Sequence, residues 1–379
     1  MQKIYYILSI FFIILSCKSE TKEYKQDETT NEQLIEVSHA KNFTIKQFEG
    51  YKVIYLQNAW PGSETVFKYA LVEKDGILPK DETFDEIVHV PIQSIVVTST
   101  THIPSLEMLG VDDKLIGFPN LDYISSKKTR QRIGNNEITE LGKNEDINTE
   151  ALIDLAPDLV VGFAVEGSNK TLTTIKKTGI SVIYNGDWTE TSPLGKAEWI
   201  KFFGALFNKE KEADSIFSEI KTQYLTAKDY ALEVQNKPTV LSGAMFKDVW
   251  YLPQGNSWAA QLIADANGEY LWKESEGTGS LSLNLETVLE KGQHADFWIG
   301  PGYFSSLEQI TDAHTVYAQF DAFNNDKVFS FTNKKGETGG VLYFELAPNR
   351  PDIVLKDIIK ILHPELLPNH ELFFFGKLK

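Results

Sequence analysis

"NTEALIDLAPDLVVGF" spans residues 148–163, and a phrase of the same form, "NLETVLEKGQHADFWIGPG", returns at residues 284–302. Each opens on Asn-x-Glu, runs through roughly two helical turns of mixed apolar residues, and reaches an aspartate before a short strand-like apolar run. Asn148 and Asn284 suit helix N-caps, because an asparagine side chain accepts a hydrogen bond from a free backbone N–H of the first turn. That register puts Glu150 and Glu286 in the first turn, where the helix dipole favours a carboxylate and the side chain points into solvent. The repetition predicts two similar half-molecules, each presenting a glutamate in the same place.

Strands and helices alternate on both sides of each phrase. Residues 94–100 ("SIVVTST") read as a strand, 104–110 as a short helix stopped by Gly110, and 114–118 as a strand, with an irregular polar stretch to 147. Helix 149–156, strand 158–163, helix 168–178 and strand 181–186 follow. From Leu194 to about Gln235 only Gly195 and Gly204 interrupt a helical spacing that runs through Trp199, Phe202, Phe203, Leu206, Ala213, Ile216, Phe217 and Ile220. One or two consecutive helices totalling about 40 residues, at 1.5 Å per residue, are long enough to bridge two domains. The rhythm restarts with strand 239–246, helices 257–266 and 286–291, strands 296–300 and 327–331, and helix 351–362. Such alternation predicts an α/β fold of two lobes with parallel sheets covered by helices, joined by a helical spine. Residues 42–92, with "FTIKQFEGYKVIYLQN" near their start, read as short strands and turns and form an extra N-terminal β element.

The chain begins "MQKIYYILSIFFIILSCKSE": Lys3, an apolar run from Ile4 to Leu15, then Ser16 and Cys17. A charged start and a short apolar run ending at a small residue make a signal peptide of residues 1–17. "Ile-Leu-Ser-Cys" resembles a bacterial lipobox, which makes Cys17 the expected lipidation site. Residues 18–41 are polar and read as a flexible tether. The protein is therefore expected to be exported and lipid-anchored at the periplasmic face or surface of a bacterial membrane. The expected division is leader 1–17, tether 18–41, β element 42–92, N-terminal lobe 93–193, spine 194–236 and C-terminal lobe 237–379. Among 379 residues, 53 Asp and Glu against 37 Lys and Arg give a net charge of −16, which excludes a nucleic-acid partner because phosphate binding needs a basic surface.

Two longer runs, "VVTSTTHIPSLEMLGVDDKLIGF" and "LGKNEDINTEALIDLAPDLVVGF", resemble the first lobe of the periplasmic binding proteins that feed vitamin B12, ferric siderophore and haem importers of the ABC type. "WAAQLIADANGEYLW", "LNLETVLEKGQHADFWIG" and "RPDIVLKDIIKILHPEL" resemble the second, so the resemblance covers about residues 93–365. It implies a rigid connecting helix, a ligand cleft between the lobes, and a glutamate on each lobe that docks onto basic residues of the permease. Glu150 and Glu286 match those two positions. The implied partners are an ABC permease dimer with its ATPase and a metal-chelate ligand: a ferric siderophore or haem first, cobalamin as the alternative. No resident cofactor or metal, no enzymatic activity and a monomer are expected.

In open α/β lobes the ligand sits at the carboxyl ends of the strands. That rule selects loops 99–103, 119–130, 163–168, 186–192, 246–258, 300–306 and 332–343. Thr101 and His102 offer polar groups at the mouth of a short helix. Trp250, Tyr251 and Trp258 offer flat walls for a large ligand. Tyr123, Trp188 and Tyr303 occupy similar loop positions, and Arg130, Arg132 and Arg350 are candidates for anionic groups on the ligand. "GETGG" (336–340) is a glycine loop without the Gly-Lys-Ser/Thr of a phosphate loop. A bare-metal site is disfavoured because the seven histidines are scattered, with only His102, His294 and His314 near these loops. The rival class, a metal-dependent hydrolase on a similar frame, finds no Gly-x-Ser-x-Gly, HExxH or Gly-x-Gly-x-x-Gly.

Overall fold

The computed structural model describes residues 33–167 and 169–379, so the leader, Cys17 and most of the tether lie outside the described residues. Strands β1 (Gln33–Ile35), β2 (Phe43–Phe48), β3 (Tyr51–Leu56), β4 (Phe67–Val72) and β5 (Glu86–His89) form one sheet in chain order. It is antiparallel except for the β4–β5 pair. The N-terminal lobe follows, with β6 (Ile95–Val97), α1 (Ile103–Met108), β7 (Leu115–Phe118), α2 (Lys127–Gly134) and β8 (Thr139–Glu140). A small hairpin of β9 (Gly142–Lys143) and β10 (Asp146–Ile147) precedes α3 (Thr149–Leu155), β11 (Leu159–Gly162), α4 (Lys170–Lys177) and β12 (Val182–Tyr184). The lobe's sheet has the order β12-β11-β6-β7-β8 and is parallel throughout.

Three helices make the spine: α5 (Pro193–Glu198), α6 (Ile200–Leu206) and α7 (Glu210–Leu232). The C-terminal lobe begins with β13 (Thr239–Ser242), β14 (Ala244–Phe246), β15 (Val249–Pro253), α8 (Trp258–Asp265), β16 (Glu269–Tyr270), β17 (Ser280–Leu283), α9 (Leu285–Gly292) and β18 (Phe297–Ile299). It continues through α10 (Leu307–Ala313), α11 (Asp321–Asn324), β19 (Val328–Ser330), α12 (Leu342–Leu346), α13 (Pro351–Leu362) and β20 (Gly376–Lys377). Its main sheet has the order β16-β13-β18-β19-β20, parallel except for β20, beside an antiparallel sheet β14-β15-β17.

The doubled phrase does the same work in both lobes. Asn148 accepts a hydrogen bond from the Ala151 N–H at 3.1 Å, and Asn284 one from the Thr287 N–H at 2.9 Å. Each capped helix leads into a strand that pairs with its lobe's first strand, β11 with β6 and β18 with β13. The aspartate of each phrase locks that pairing. Asp158 accepts the Gln93 and Ser94 N–H groups while its own N–H donates to Ser94 Oγ; Asp296 accepts the Thr239 N–H and hydroxyl while its N–H donates to Thr239 Oγ1. In both lobes the chain reverses its direction of travel across the sheet between these two strands, so the phrase builds each lobe's topological switch point.

The N-terminal sheet is a layer of the N-terminal lobe. Alternate residues of the central strands point to opposite faces. Val96, Val160 and Val182 pack with Leu152, Leu172 and Ile175 of α3 and α4. Ile95, Val97, Val161 and Ile183 face the other way, into a core shared with Phe43, Ile45, Ile54, Leu56 and Leu71 of the added sheet and with α1 and α6. The spine serves both cores. Ala213, Phe217 and Ile220 of α7 belong to the N-terminal core, and Tyr224, Ala227 and Ala231 to the C-terminal one. α7 is 23 residues long, or about 34 Å at 1.5 Å per residue.

Part of the stretch read as tether belongs to the fold, since β1 spans Gln33–Ile35. Glu198 of α5, with a side chain shut off from solvent, accepts the Ser38, His39 and Ala40 N–H groups at 2.6–3.1 Å and pairs with Lys201 at 3.1 Å. Glu190 accepts the Lys41 and Asn42 N–H groups at 2.8 Å and the Trp199 indole N–H at 3.3 Å. Burial pushes the Glu198 carboxyl up, but the Ser38, Ala40 and His39 donors together with Lys201 outweigh it and hold the group below the ordinary range. Removing a buried acceptor strands its donors, and hydrogen bonds to charged groups contribute about 1.5–3 kcal/mol each. Glu198→Ala is therefore expected to lower unfolding stability by about 3 kcal/mol and to open the chain before Phe43 to protease; denaturant titration with limited proteolysis checks both.

Candidate functional site in the cleft between the lobes

Both switch points open at the carboxyl ends of their strands. On the N-terminal side residues 98–100 follow β6, Pro119 follows β7, Phe163 follows β11 and residues 185–191 follow β12. Two cavities lie along this edge. The larger, about 860 Å³, is lined by Trp188, Glu190 and Lys196 from the N-terminal lobe and spine, Trp258 and Thr278 from the C-terminal lobe, and Gln57, Asn58, Trp60, Pro61 and Gly62 of the added sheet. The smaller, about 260 Å³, is lined by Thr98, Ser99, Thr100, Phe118 and Tyr123 with Phe344 from across the cleft. Thr100 belongs to one cavity and Trp188 to the other, and between their neighbours the Thr101 hydroxyl donates to Asp187 at 2.8 Å.

Lys196 is the cation of the larger cavity's floor. Its Nζ donates to the Asp187 and Trp188 carbonyls, both at 3.1 Å, and lies 5.8 Å from the centre of the Trp258 ring. Burial lowers its pKa, opposed by Asp187 and Glu190. Two of its three N–H donors are thus used by protein carbonyls, and Lys196 links the turn after β12 to a wall of the C-terminal lobe. Burial pushes the Glu190 carboxyl up, against the pull of its backbone donors.

Of the residues singled out in the sequence, Trp188 and Trp258 line the larger cavity and Tyr123 the smaller, while Thr101 stands between them. Others are elsewhere. Trp250 is fully buried, because on β15 the inward positions are Trp250 and Leu252, and it stacks 5.5 Å from Trp298 with its indole N–H on the Ser242 carbonyl. Its neighbour Tyr251 points outward and lines neither cavity, nor does Tyr303, which is 82% exposed. His102 is fully buried 5.4 Å from Phe203, with Nε2 at 3.9 Å from Asp187 and neither ring nitrogen hydrogen-bonded to protein. Burial lowers its pKa, with Asp187 opposing, so the ring is a neutral core group. Arg350 grips Asp352 with two hydrogen bonds at 2.8 and 2.9 Å in a groove against α7, away from both cavities. Arg130 donates to the Leu121 carbonyl and Arg132 to Glu137, and neither lines either cavity.

The glycine loop packs against the opposite lobe, and Gly340 also lines the smaller cavity. A Cβ on Gly336 would lie 2.7 Å from the Ser125 Cα, and one on Gly340 would lie 2.5 Å from the Tyr123 carbonyl oxygen. Sequence reading also missed Lys196 and Trp60. The signal for Lys196 was a cation inside a largely apolar helical run. For Trp60 it was a large aromatic followed directly by Pro-Gly, a loop position where an indole has less reason to be core. Because Trp250 is core, Trp250→Ala is expected to cost about 3–5 kcal/mol of stability, measured by denaturant unfolding, with a proportionate fall in folded protein.

The lobes also touch directly. Asn349 accepts from Ser105 Oγ and donates to the Thr101 carbonyl, both at 2.8 Å, and Glu345 of α12 accepts the Ser125 and Ser126 N–H groups at 2.6 and 2.9 Å. Burial, opposed by these donors and helped by Glu107, pushes the Glu345 carboxyl up to about 7. The folded state therefore holds a proton that the unfolded chain releases near the ordinary value of 4.5. This contribution to stability is full below the ordinary value and is lost as pH rises to about 7. Between pH 5 and about 7.5, Glu345→Gln is expected to flatten that component of the melting-temperature profile, read as the difference between wild type and variant.

A model of the family described as periplasmic binding protein matches residues 95–334. An uncharacterized lipoprotein of Methanocaldococcus jannaschii is 28% identical over 328 residues, covering 82% of this chain and 76% of that protein. The periplasmic heme-binding protein from Pseudomonas aeruginosa superposes with a TM-score of 0.56 at 14% identity, covering 76% of this chain and 98% of that one. An ABC transporter substrate-binding protein from Listeria monocytogenes gives 0.51 at 20% identity, covering 72% and 99%. These likenesses, at such low identity, concern the fold: two lobes whose strand ends face one another. With well over half of its length matched by the family model and its cleft at the switch points of two α/β lobes, the chain belongs to the periplasmic binding protein family.

Proposed function

We propose that this protein is the lipid-anchored substrate-binding component of an ABC importer, capturing an iron complex, a ferric siderophore or haem, and handing it to a permease dimer driven by its ATPase. The observation that carries the reading is the matched pair Glu150 and Glu286. Both are exposed in the first turn of helices with identical asparagine caps, one on each lobe. A partner built from two similar subunits offers two similar basic sites, and exposed carboxylates held this way set orientation and encounter rate more than affinity. Cys17 remains the proposed lipid attachment, supported by the lipoprotein name of the Methanocaldococcus relative. Among the described residues no helix is long and apolar enough to cross a membrane.

The cleft's chemistry bears on the cargo. The larger cavity carries Lys41 and Lys196 against Glu190, and most of the rest of its lining is amide, hydroxyl and indole. Such walls suit a large, flat or globular chelate of low charge better than a triply anionic one. Cobalamin is the second reading, favoured by the side-chain amides of Asn42, Gln57 and Asn58, which pair with neutral amides as readily as with carboxylates.

Tryptophan-fluorescence titration of residues 18–379 with haemin, cyanocobalamin, and ferric hydroxamate and catecholate siderophores tests the reading. Saturable one-to-one quenching by one of them is expected, returning the ligand unchanged. The double variant Glu150→Ala, Glu286→Ala is expected to keep that affinity within about twofold while uptake into cells falls by about tenfold or more. Undiminished uptake would remove the docking role, and turnover of the ligand would remove the transport reading.

A further inference from the structure

We propose that the N-terminal sheet is a third wall of the ligand cleft, and that Asn58, Trp60 and Pro61 form a ligand subsite for a flat, conjugated group with a hydrogen-bonding edge and low charge. This rests on the import reading above, and it makes cargo choice a property of three structural units rather than of two facing lobes. The larger cavity is where all three meet: Gln57, Asn58 and Trp60 to Gly62 from the sheet, Trp188 with Lys196 from the N-terminal lobe and spine, and Trp258 with Thr278 from the C-terminal lobe.

The loop that supplies the wall is held before any ligand arrives. Asn58 takes the left-handed conformation at φ 50°, its amide donates to Asn42 Oδ1 at 3.0 Å, and its carbonyl accepts from the Thr189 hydroxyl at 2.9 Å. Ala59 between them is fully buried, and Trp60 is half-buried, meeting Phe67 and Tyr184 edge-on at 5.8 and 5.5 Å. The turn closes by the Ser63 N–H on the Trp60 carbonyl at 3.0 Å. Thr189 also belongs to the cavity, so the sheet's loop and the turn after β12 are bonded to each other along its rim. A wall fixed in this way loses little conformational entropy on binding.

The chemistry of the wall defines what it takes. Trp60, Trp188 and Trp258 supply three indoles, whose faces suit a conjugated surface and whose edges tolerate a polar rim. Gln57 and Asn58 are exposed and carry both a donor and an acceptor. Neither cation of the cavity stands on this loop, so the subsite selects shape and amide-like edges while Lys196 meets an acceptor on the opposite side.

Two designs test the subsite with the four probes named above. Residues 18–379 contain no cysteine, so Glu64→Cys accepts one environment-sensitive fluorophore at an exposed position beside the loop and outside the cavity. The bound probe is expected to shift its emission with the same dissociation constant that tryptophan quenching gives in the wild type. Asn58→Gly keeps the left-handed backbone without strain, and it and Trp60→Ala are expected to weaken that probe, by about tenfold or more for Trp60→Ala. Ile87→Ala, exposed on β5 and outside the cavity, is the control expected to change nothing. Equal thermal melts separate lost contact from lost fold. A silent label, with both loop variants within twofold of a wild type that binds, would overturn the subsite and leave the import reading standing. No saturable binding of any probe by the wild type itself would overturn the cargo reading and the subsite with it.

Discussion

One apolar stripe of one helix governs the geometry of this molecule. Ala213, Phe217, Ile220, Tyr224, Ala227 and Ala231 follow one another at spacings of three and four residues, and so share a single face of α7. The first three are sealed in one core and the last three in the other. To swing the lobes apart, α7 would have to bend or one half of the stripe would have to leave its core. At roughly 25 cal/mol per Å² of apolar surface, exposing even part of such a stripe costs several kcal/mol. The end of α7 is held again by the Tyr224 hydroxyl on Asp265 at 2.6 Å and by Lys228 on the same carboxylate at 2.8 Å. Large hinge motion is therefore disfavoured, and the cleft owes its shape to the frame rather than to closure around a ligand. The contacts of Glu345 and Asn349 across the cleft are local adjustments on that frame.

The α/β class, the two lobes and the spine were legible because they depend on periodicity, which a sequence displays openly. The helix read at 351–362 coincides with α13, where a proline start and a regular apolar stripe leave little ambiguity. The stretch 119–147 was read as irregular because α2 is polar, "KKTRQRIG", and its stability comes from the Ser126 cap and from packing rather than from a stripe. The spine divides into three helices because Trp199 and the Phe207–Lys209 turn interrupt it.

The site was less legible than the fold. Trp250 and Tyr251 were read together as a loop pair, yet a strand sends neighbours to opposite faces, and the pair divides into one core residue and one surface residue. Polar residues near a cleft were overvalued: Arg350 is satisfied by Asp352 two residues away, and His102 is a core ring. What the sequence hid most was long-range placement. Nothing local in residues 57–62 says that they stand opposite Trp258.

The clamp of Glu190 and Glu198 on residues 38–42 has a consequence for the order in which the chain takes shape. The donors and acceptors of that clamp are separated by 148 to 160 residues, so the N-terminal strands are made long before the carboxylates that secure them. The meander of β2, β3 and β4 closes through short turns and needs little else to pair. Its apolar face, however, has no cover until β6, β11 and β12 are assembled and α5 and α6 have followed. Until then the face carrying Phe43, Ile45, Ile54 and Leu71 is open to water and to other chains. The sheet that walls the cleft in the finished protein is thus the last layer of the N-terminal lobe to be secured, and its apolar face stays open until residue 198 joins it.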